Sequence, residues 1–439
     1  MSVPRDDPAL RARLDRLLRS CIQCGLCLPH CATYLATGSE AQSPRGRLLL
    51  LGELLAAPER PPEPSVLTAF DQCLGCQACL TACPSGVALD LFEAARTLGH
   101  AARRGPGARI MTALLARRGV LRGLRAATAP VRAFARPGAR GPAATLRQLA
   151  ASVPGSPGDA ALVRLLDRLT ARAGAERTPP PVAERSPVTA PPGASGPPLR
   201  VALFAGCASA GLLPASQRRL CALLAAAGCE LLEVGGQTCC GALAAHAGQT
   251  ASAGRARAAN LAAFALVEEV DVIVVEAAGC GLELRHSAPV LADRVRDAAV
   301  LLAGRSLPPA RAVPLRVVYH DPCHARHGQG IVSEPRALLA RIPGLTLVEP
   351  EEAEVCCGSG GPYALLHPDL SARMGRRKAT NLAATGAELV VTGNPGCLGQ
   401  IQAALGGRSP ALPVLPLTDL LWYACLGPTG VAAPVVPIT

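Results

Sequence analysis

The chain has 439 residues, 49% hydrophobic, 17% charged and 2% aromatic, which allows about two to four compact domains and excludes a wholly disordered polymer. Its formal net charge of +12 suggests nucleic acid, but eleven arginines and no acidic residue fall within 101–150, leaving the other 389 residues at +1. Ten aromatics offer little material for base stacking, so no general nucleic-acid partner is expected.

Nineteen cysteines are the other unusual number. A secreted disulfide scaffold fails on length, on the odd count, and on an N-terminus (MSVPRDDPALRARLDRLLRS) without the apolar stretch of an export signal. Reduced, metal-binding cysteines in the cytoplasm fit better. Residues 421–439 are nearly free of charge, but Gly427, Pro428, Gly430, Pro434 and Pro437 break them as a membrane helix.

Four regions follow in chain order. Residues 1–100 hold eight cysteines and helical apolar spacing, as in 44–57 (PRGRLLLLGELLAA). Residues 101–172 read as an Arg-rich helical connector, and 173–199, with eight prolines, as an extended linker. From 200 onward, short apolar strands (201–205, 272–275, 317–319, 389–392) alternate with Ala-rich helices (215–227, 251–266, 370–384), the pattern of an α/β domain. Each strand runs into a cysteine segment, and open α/β sheets bind ligands at those strand ends.

This last region is a repeat. Cys207, Cys239-Cys240-Gly241 and Cys280 recur as Cys323, Cys356-Cys357-Gly358 and Cys397, displaced by 116 or 117 residues. It divides into copies at 200–308 and 309–439, with one cysteine site expected per copy. The fold class expected is α+β multidomain: an N-terminal α-helical di-cluster ferredoxin domain, then a duplicated α/β cysteine-rich domain.

The strongest chemical signal is Cys21-x2-Cys24-x2-Cys27-x3-Cys31 followed by Cys73-x2-Cys76-x2-Cys79-x3-Cys83-Pro84. Two-residue spacers let one tight loop offer three thiolates to a [4Fe–4S] cube, and in two-cluster ferredoxins the fourth cysteine of each run ligates the other cluster. The expected ligand sets are therefore Cys21, Cys24, Cys27 and Cys83 for one cluster, and Cys73, Cys76, Cys79 and Cys31 for the second. Zinc sites also use Cys-x2-Cys spacing, but two full four-cysteine runs favour clusters. The eight repeat cysteines read as cofactor ligands, for an additional cluster or another cofactor, or else as buried thiols or a redox disulfide.

These motifs, with CIQCGLCLPHCATY, SPRGRLLLL, DQCLGCQACLTACPSGV, CCGALAAHAG, AAGCG, YHDPCHARHGQG, CCGSGGPY and TGNPGC, make the chain resemble glycolate oxidase iron–sulfur subunits. The wider superfamily of CCG proteins includes subunits of heterodisulfide reductase and anaerobic glycerol-3-phosphate dehydrogenase. The resemblance implies an electron-transfer subunit of a glycolate dehydrogenase. Its flavin-binding partner subunits oxidise glycolate to glyoxylate, and electrons pass on to a quinone or membrane acceptor. Heterodisulfide reductases carry a fifth cysteine per motif, where this chain has Ala277 and Asn394, so each copy offers four thiolates. The sequence shows no credible flavin fingerprint; Gly358-Ser359-Gly360-Gly361 lacks the GxGxxG spacing.

Weaker features leave alternatives open. His246, His320, His324 and His327 read as ligands, proton relays, quinone contacts or structural residues. Arg45 and Arg47 tune a cluster, dock a partner or lie solvated, while Cys221, Cys229 and Cys425 pack in the fold. The Arg-rich segment 101–150 reads as a solvated insert, or as a basic patch placing the protein peripherally on the inner face of the cell membrane. Competing functions are another CCG oxidoreductase subunit, acting on glycerol-3-phosphate or lactate, and a cluster-based redox sensor or scaffold.

Overall fold

A computed structural model of the protein describes residues 12, 15, 18–56, 60–87, 106–134, 153, 157–176, 198–265, 269–406, 412–427 and 436–437. The linker expected at 173–199 lies almost entirely outside them.

The N-terminal part is helical. Its elements α1 (Ala32–Thr37), α2 (Pro44–Ala56), α3 (Pro64–Asp71) and α4 (Ala78–Thr81) frame two cysteine loops. Prolines open α2 and α3, where the missing N–H costs nothing. Leu48, Leu51, Phe70 and Val87 form a small apolar core, against which Cys21, Cys73, Cys79 and Cys83 pack.

The described part of the Arg-rich segment is not a solvated insert. It forms α5 (Pro106–Leu115) and α6 (Arg118–Phe134). Leu121 is buried in the main core, packed against Gly211, where a Cβ would come 2.7 Å from the Leu121 Cβ. Burying one leucine is worth about 1.5–3 kcal/mol, enough to hold a helix whose outer face is cationic. Helix α7 (Asp159–Glu176) is anchored likewise by Leu162, Leu166 and Ala173.

The rest is a duplicated parallel α/β fold. The first copy has strands β1 (Leu199–Leu203), β2 (Cys229–Glu233), β3 (Val272–Val275) and β4 (Val295–Asp297), in the order β2-β1-β3-β4. The second has β5 (Arg316–His320), β6 (Thr346–Val348), β7 (Leu389–Thr392) and β8 (Val414–Pro416), in the same order β6-β5-β7-β8. A two-residue strand, β9 (Val436–Pro437), adds to the outer edge of β2, so the end of the chain returns to the first sheet. Strand order reverses between β1 and β3, and again between β5 and β7, where crevices open at the carboxyl ends.

The helices that carry the chemistry follow those strand ends: α8 (Ala208–Leu212), α9 (Pro214–Ala226), α10 (Ala242–His246), α11 (Thr250–Ala265) and α12 (Ala278–Ser287) in the first copy. After α13 (Pro289–Ala292) and α14 (Ala298–Ala303), the second copy has α15 (Cys323–Gln329), α16 (Ser333–Ala340), α17 (Tyr363–Leu366), α18 (Pro368–Ala384), α19 (Pro395–Leu405) and α20 (Leu417–Cys425). Both large apolar cores draw residues from both copies; Ile273 and Val275 share one with Val318 and Val390. The copies therefore pack as one body.

Candidate functional site

The two cysteine loops of the helical part have matching backbones. In the first, Gln23 and Gly25 flank Cys24 with φ of 53° and 81°; in the second, Gly75 and Gln77 flank Cys76 with φ of 65° and 66°. A left-handed glutamine in each loop is strained, and such strain persists where surrounding structure demands it. The alternation curls each loop, and in the second it brings Cys73, Cys76 and Cys79 onto one cavity.

Cys31, Cys73, Cys76 and Cys79 line one small cavity, with Arg47 on its wall. Three of them come from the second loop and the fourth from the first run, a donor set suited to a tetrathiolate cube. Cys21 and Cys83, 62 residues apart in sequence, both pack against the small core. Cys27 lies within electrostatic reach of Cys21 and Cys31, and Cys24 is exposed. Burial pushes the Cys31 and Cys79 thiols above their ordinary range, and the neighbouring Cys356 thiol, then burial, does the same for Cys76. Thiols so buried are costly to ionise alone, and a metal changes that balance.

Arg47 and Arg45 separate. Arg47 is 2% exposed and donates to the Ala69 carbonyl (2.7 Å), Thr33 Oγ1 (3.1 Å) and Gln42 Oε1 (2.8 Å), with Nη1 3.9 Å from Cys31 Sγ. Arg45 is partly exposed and pairs with Glu40 at 2.6 Å.

In the α/β part, both copies direct their cysteines into one shared cavity of about 150 Å³. Cys207, Cys240 and Cys280 line it from the first copy; Cys323, Cys356, Cys357 and Cys397 line it from the second. This corrects the expectation of separate sites: the strand ends of the two sheets face each other, so two half-sites open onto a common space. Within the first, Cys207 and Cys239 are 3.5 Å apart, and Cys240 and Cys280 3.2 Å. Within the second, Cys323 and Cys356 are 3.7 Å apart.

The glycine of each CCG triplet has a geometric reason. Gly241 and Gly358 have φ of 100° and 86°, turning the chain so that the Gly241 N–H donates to Cys239 Sγ (3.5 Å) and the Gly358 N–H to Cys356 Sγ (3.4 Å). These bonds stabilise thiolate. Cys239 is held below its usual range by hydrogen bonds from the Cys207 and Cys240 thiols, with help from the Gly241 N–H and the Arg118 charge. Arg118, from the cationic α6, also donates to the Gln237 carbonyl at 3.1 Å.

The helical part docks on the second copy beside this cavity. The Tyr363 hydroxyl donates to the Gln72 carbonyl (3.0 Å), and His324 Nε2 donates to the Gly75 carbonyl (3.1 Å). His327 donates from Nε2 to the Glu354 carbonyl (2.8 Å), and its Nδ1 accepts from the Thr81 hydroxyl (2.7 Å). His246 stacks on His324 with centroids 5.2 Å apart. Most telling, Cys76 packs against the buried cluster that contains Cys356, bringing the ferredoxin-type loop up to the CCG triplet.

The four histidines thus divide. His324 and His327 hold the interface, His246 stacks on it, and His320 is buried beside Cys357 and Cys397. Burial, reinforced by the Lys378 ammonium, pushes His320 down to about 3, so its imidazole is neutral. Lys378, the sole lysine, is buried and donates to the Glu352 carbonyl at 2.5 Å, fixing the loop before Cys356. Its singularity in an arginine-rich chain was the one sequence signal for it. Asn394 caps α19, its amide oxygen 3.3 Å from the N–H groups of Gly396 and Cys397 in the orientation that satisfies both. Cys221 and Cys425 are half-buried away from the cavity, and burial pushes both up to about 11, as for inert packing thiols.

Fold and cysteine geometry define a two-part iron–sulfur protein. A 4Fe-4S dicluster domain model matches residues 17–87, and a cysteine-rich CCG domain model matches twice, at 201–285 and 317–402. The chain is 31% identical to the "Probable glycolate oxidase iron-sulfur subunit" of Bacillus subtilis, over 93% of this chain and 94% of that one. It is 30% identical to the glycolate oxidase iron–sulfur subunit of Escherichia coli, over 90% and 92%. Lactate utilization protein A 2 of Bacillus cereus is 29% identical over 51% of this chain and 98% of its own. The protein belongs to the family of glycolate oxidase iron–sulfur subunits, components of an oxidoreductase. Among the described residues, no helix is long and apolar enough to cross a membrane.

Proposed function

We propose that this chain relays electrons from a flavin-bearing partner, which oxidises glycolate to glyoxylate, towards a quinone-type acceptor. The domains we assign are a ferredoxin part (1–100), a connector (101–172), a linker (173–199) and two CCG repeats (200–308 and 309–439). Cys21, Cys24, Cys27 and Cys83 hold one [4Fe–4S] cluster; Cys73, Cys76, Cys79 and Cys31 hold the second. The eight repeat cysteines hold a further group at the shared cavity. A bound [4Fe–4S] cluster supplies one-electron transfer, so two of them divide the electron pair released by a two-electron oxidation.

The observation that carries this reading is the packing of Cys76 against the buried cluster that contains Cys356. On this reading a ligand of one set lies against a ligand of another, and the histidine, tyrosine and threonine bonds between the two parts support a fixed distance. A sensor needs no such junction. A peripheral place on the inner face of the cell membrane is supported by α5 and α6, which expose Ile110, Leu114 and Leu124 beside Arg109, Arg117 and Arg122.

The test is anaerobic mixing of the iron-loaded protein with its flavin partner subunits. About eight irons are expected for the two cubes, with more if the cavity also holds iron. Glycolate should reduce them rapidly. Reduction only by lactate or glycerol-3-phosphate would move the assignment to those substrates, and no substrate-linked reduction would defeat the relay.

A further inference from the structure

The two half-sites of the cavity are built from equivalent cysteines, but besides Ala277 and Asn394 they differ at a buried strand-end residue. His320 ends β5. In the register set by the β1–β3 and β5–β7 ladders, Phe204 is its counterpart in the first copy. Both are buried, at 1% and 2% exposure. Phenylalanine needs no polar partner there, but imidazole does. Neither His320 Nδ1 nor Nε2 has a hydrogen-bond partner. Leaving a buried polar group unpaired costs about 1–3 kcal/mol, so a histidine here requires compensation that the protein's own atoms do not give.

A compensating group has a place to sit. A His320 ring nitrogen, Cys357 Sγ and Cys397 Sγ all lie within 4.8 Å of one another. With metal–sulfur bonds of about 2.3 Å and metal–nitrogen bonds of about 2.0 Å, a tetrahedral ion wants its donors about 3.5–3.8 Å apart. The observed spacing needs contraction by no more than about 1.3 Å, within reach of rotamer adjustment. Cubane thiolates are spread wider around the cluster than this trio.

We propose that His320 is a metal ligand: its imidazole, with the Cys357 and Cys397 thiolates, binds one thiophilic metal atom, so that the second half-site is a mixed nitrogen–sulfur site and the first is not. Two thiols lose their protons to solvent on binding, and two thiolates then neutralise a divalent ion. A neutral assembly suits a site this dry better than an all-thiolate one. Cys357 and Cys397 also line the shared cavity, so the metal's remaining position faces that space. The inference rests on the reading of the CCG cysteines as ligands, and it adds a donor that no cysteine spacing reveals.

The metal atom is either a lone ion, such as zinc, or one iron of a cluster, and the experiment separates these. The full chain is purified anaerobically and its iron, zinc and sulfide are counted. Zinc-edge X-ray absorption then looks for an imidazole scatterer. In parallel, nitrogen ENDOR on the reduced protein, with and without 15N-histidine labelling, looks for imidazole on iron. The expected result is a histidine nitrogen in one of these two arms, lost in His320→Phe, which installs the residue of the first copy. His320→Cys should keep the metal but lose the nitrogen signal. The labelling needs no variant, so a misfolded mutant does not spoil the test. The proposal is overturned if neither arm shows a histidine nitrogen, or if the signal persists in His320→Phe. The ferredoxin clusters are counted in the same samples, so their absence, which would defeat the wider reading, is seen separately.

Discussion

Arg47 offers the sharpest test of how this fold sets a cluster's potential. Its guanidinium is buried, makes three hydrogen bonds to protein oxygens, and stands 3.9 Å from Cys31 Sγ. It already opposes the upward push that burial gives the Cys31 thiol. At an effective dielectric of about 20, a unit charge at that distance contributes about 4 kcal/mol, or about 180 mV for a one-electron couple. An electron added to a cluster spreads over its irons and sulfurs, so about 50–100 mV of that survives. Arg47→Met should therefore lower the potential of the cluster proposed at Cys31 by that amount. It should also cost about 1–3 kcal/mol for each carbonyl or amide left unpaired. Arg47→Lys keeps the charge and should shift the potential far less. The assay is EPR-monitored redox titration of the anaerobic full chain. A full complement of iron with a potential unchanged to within about 20 mV in Arg47→Met would refute the electrostatic account.

Other outcomes follow from particular residues. Burial pushes the Asp297 carboxyl up to about 7 while it caps α14 by accepting from the Ala299 N–H at 2.8 Å. The folded protein then holds a proton that the unfolded chain releases near pH 4, so stability falls as pH rises towards 7. Asp297→Asn keeps the cap and should be up to about 3 kcal/mol more favourable, relative to wild type, at pH 8 than at pH 5; equal melting shifts at both pH values would contradict this. At Gly358 a Cβ would come 2.8 Å from Met374 Cβ, at a φ of 86°. Gly358→Ala should strip the group at the second half-site while ferredoxin EPR signals remain, whereas Gly386→Ala, facing open space, should cost only about 1–2 kcal/mol of backbone strain. Reversing Arg109, Arg117 and Arg122 to glutamate should abolish flotation on anionic vesicles, since each basic residue is worth about 1 kcal/mol there. Undiminished flotation would remove the membrane reading of this face.

Cysteine spacing by itself determined the two ferredoxin-type runs and the CCG duplication, because cluster ligation imposes local, short-range constraints that survive in linear sequence. Strand and helix positions in the repeat were legible for the same reason: 272–275 and 389–392 are strands at those residues, and the helix expected at 370–384 runs Pro368–Ala384. The short strands β2, β4, β6, β8 and β9 were not, since runs of two to five residues, with charges inside β2 and β4, carry too little periodicity to be told from loop. Only the tertiary structure decided that two half-sites share one cavity, that Cys76 packs against the cluster containing Cys356, that α6 packs on the first copy, and which of four histidines is buried without a partner. These are contacts between residues tens to hundreds of positions apart. They arise from how two sheets face each other across their strand ends, and chain-local propensity carries no record of that packing.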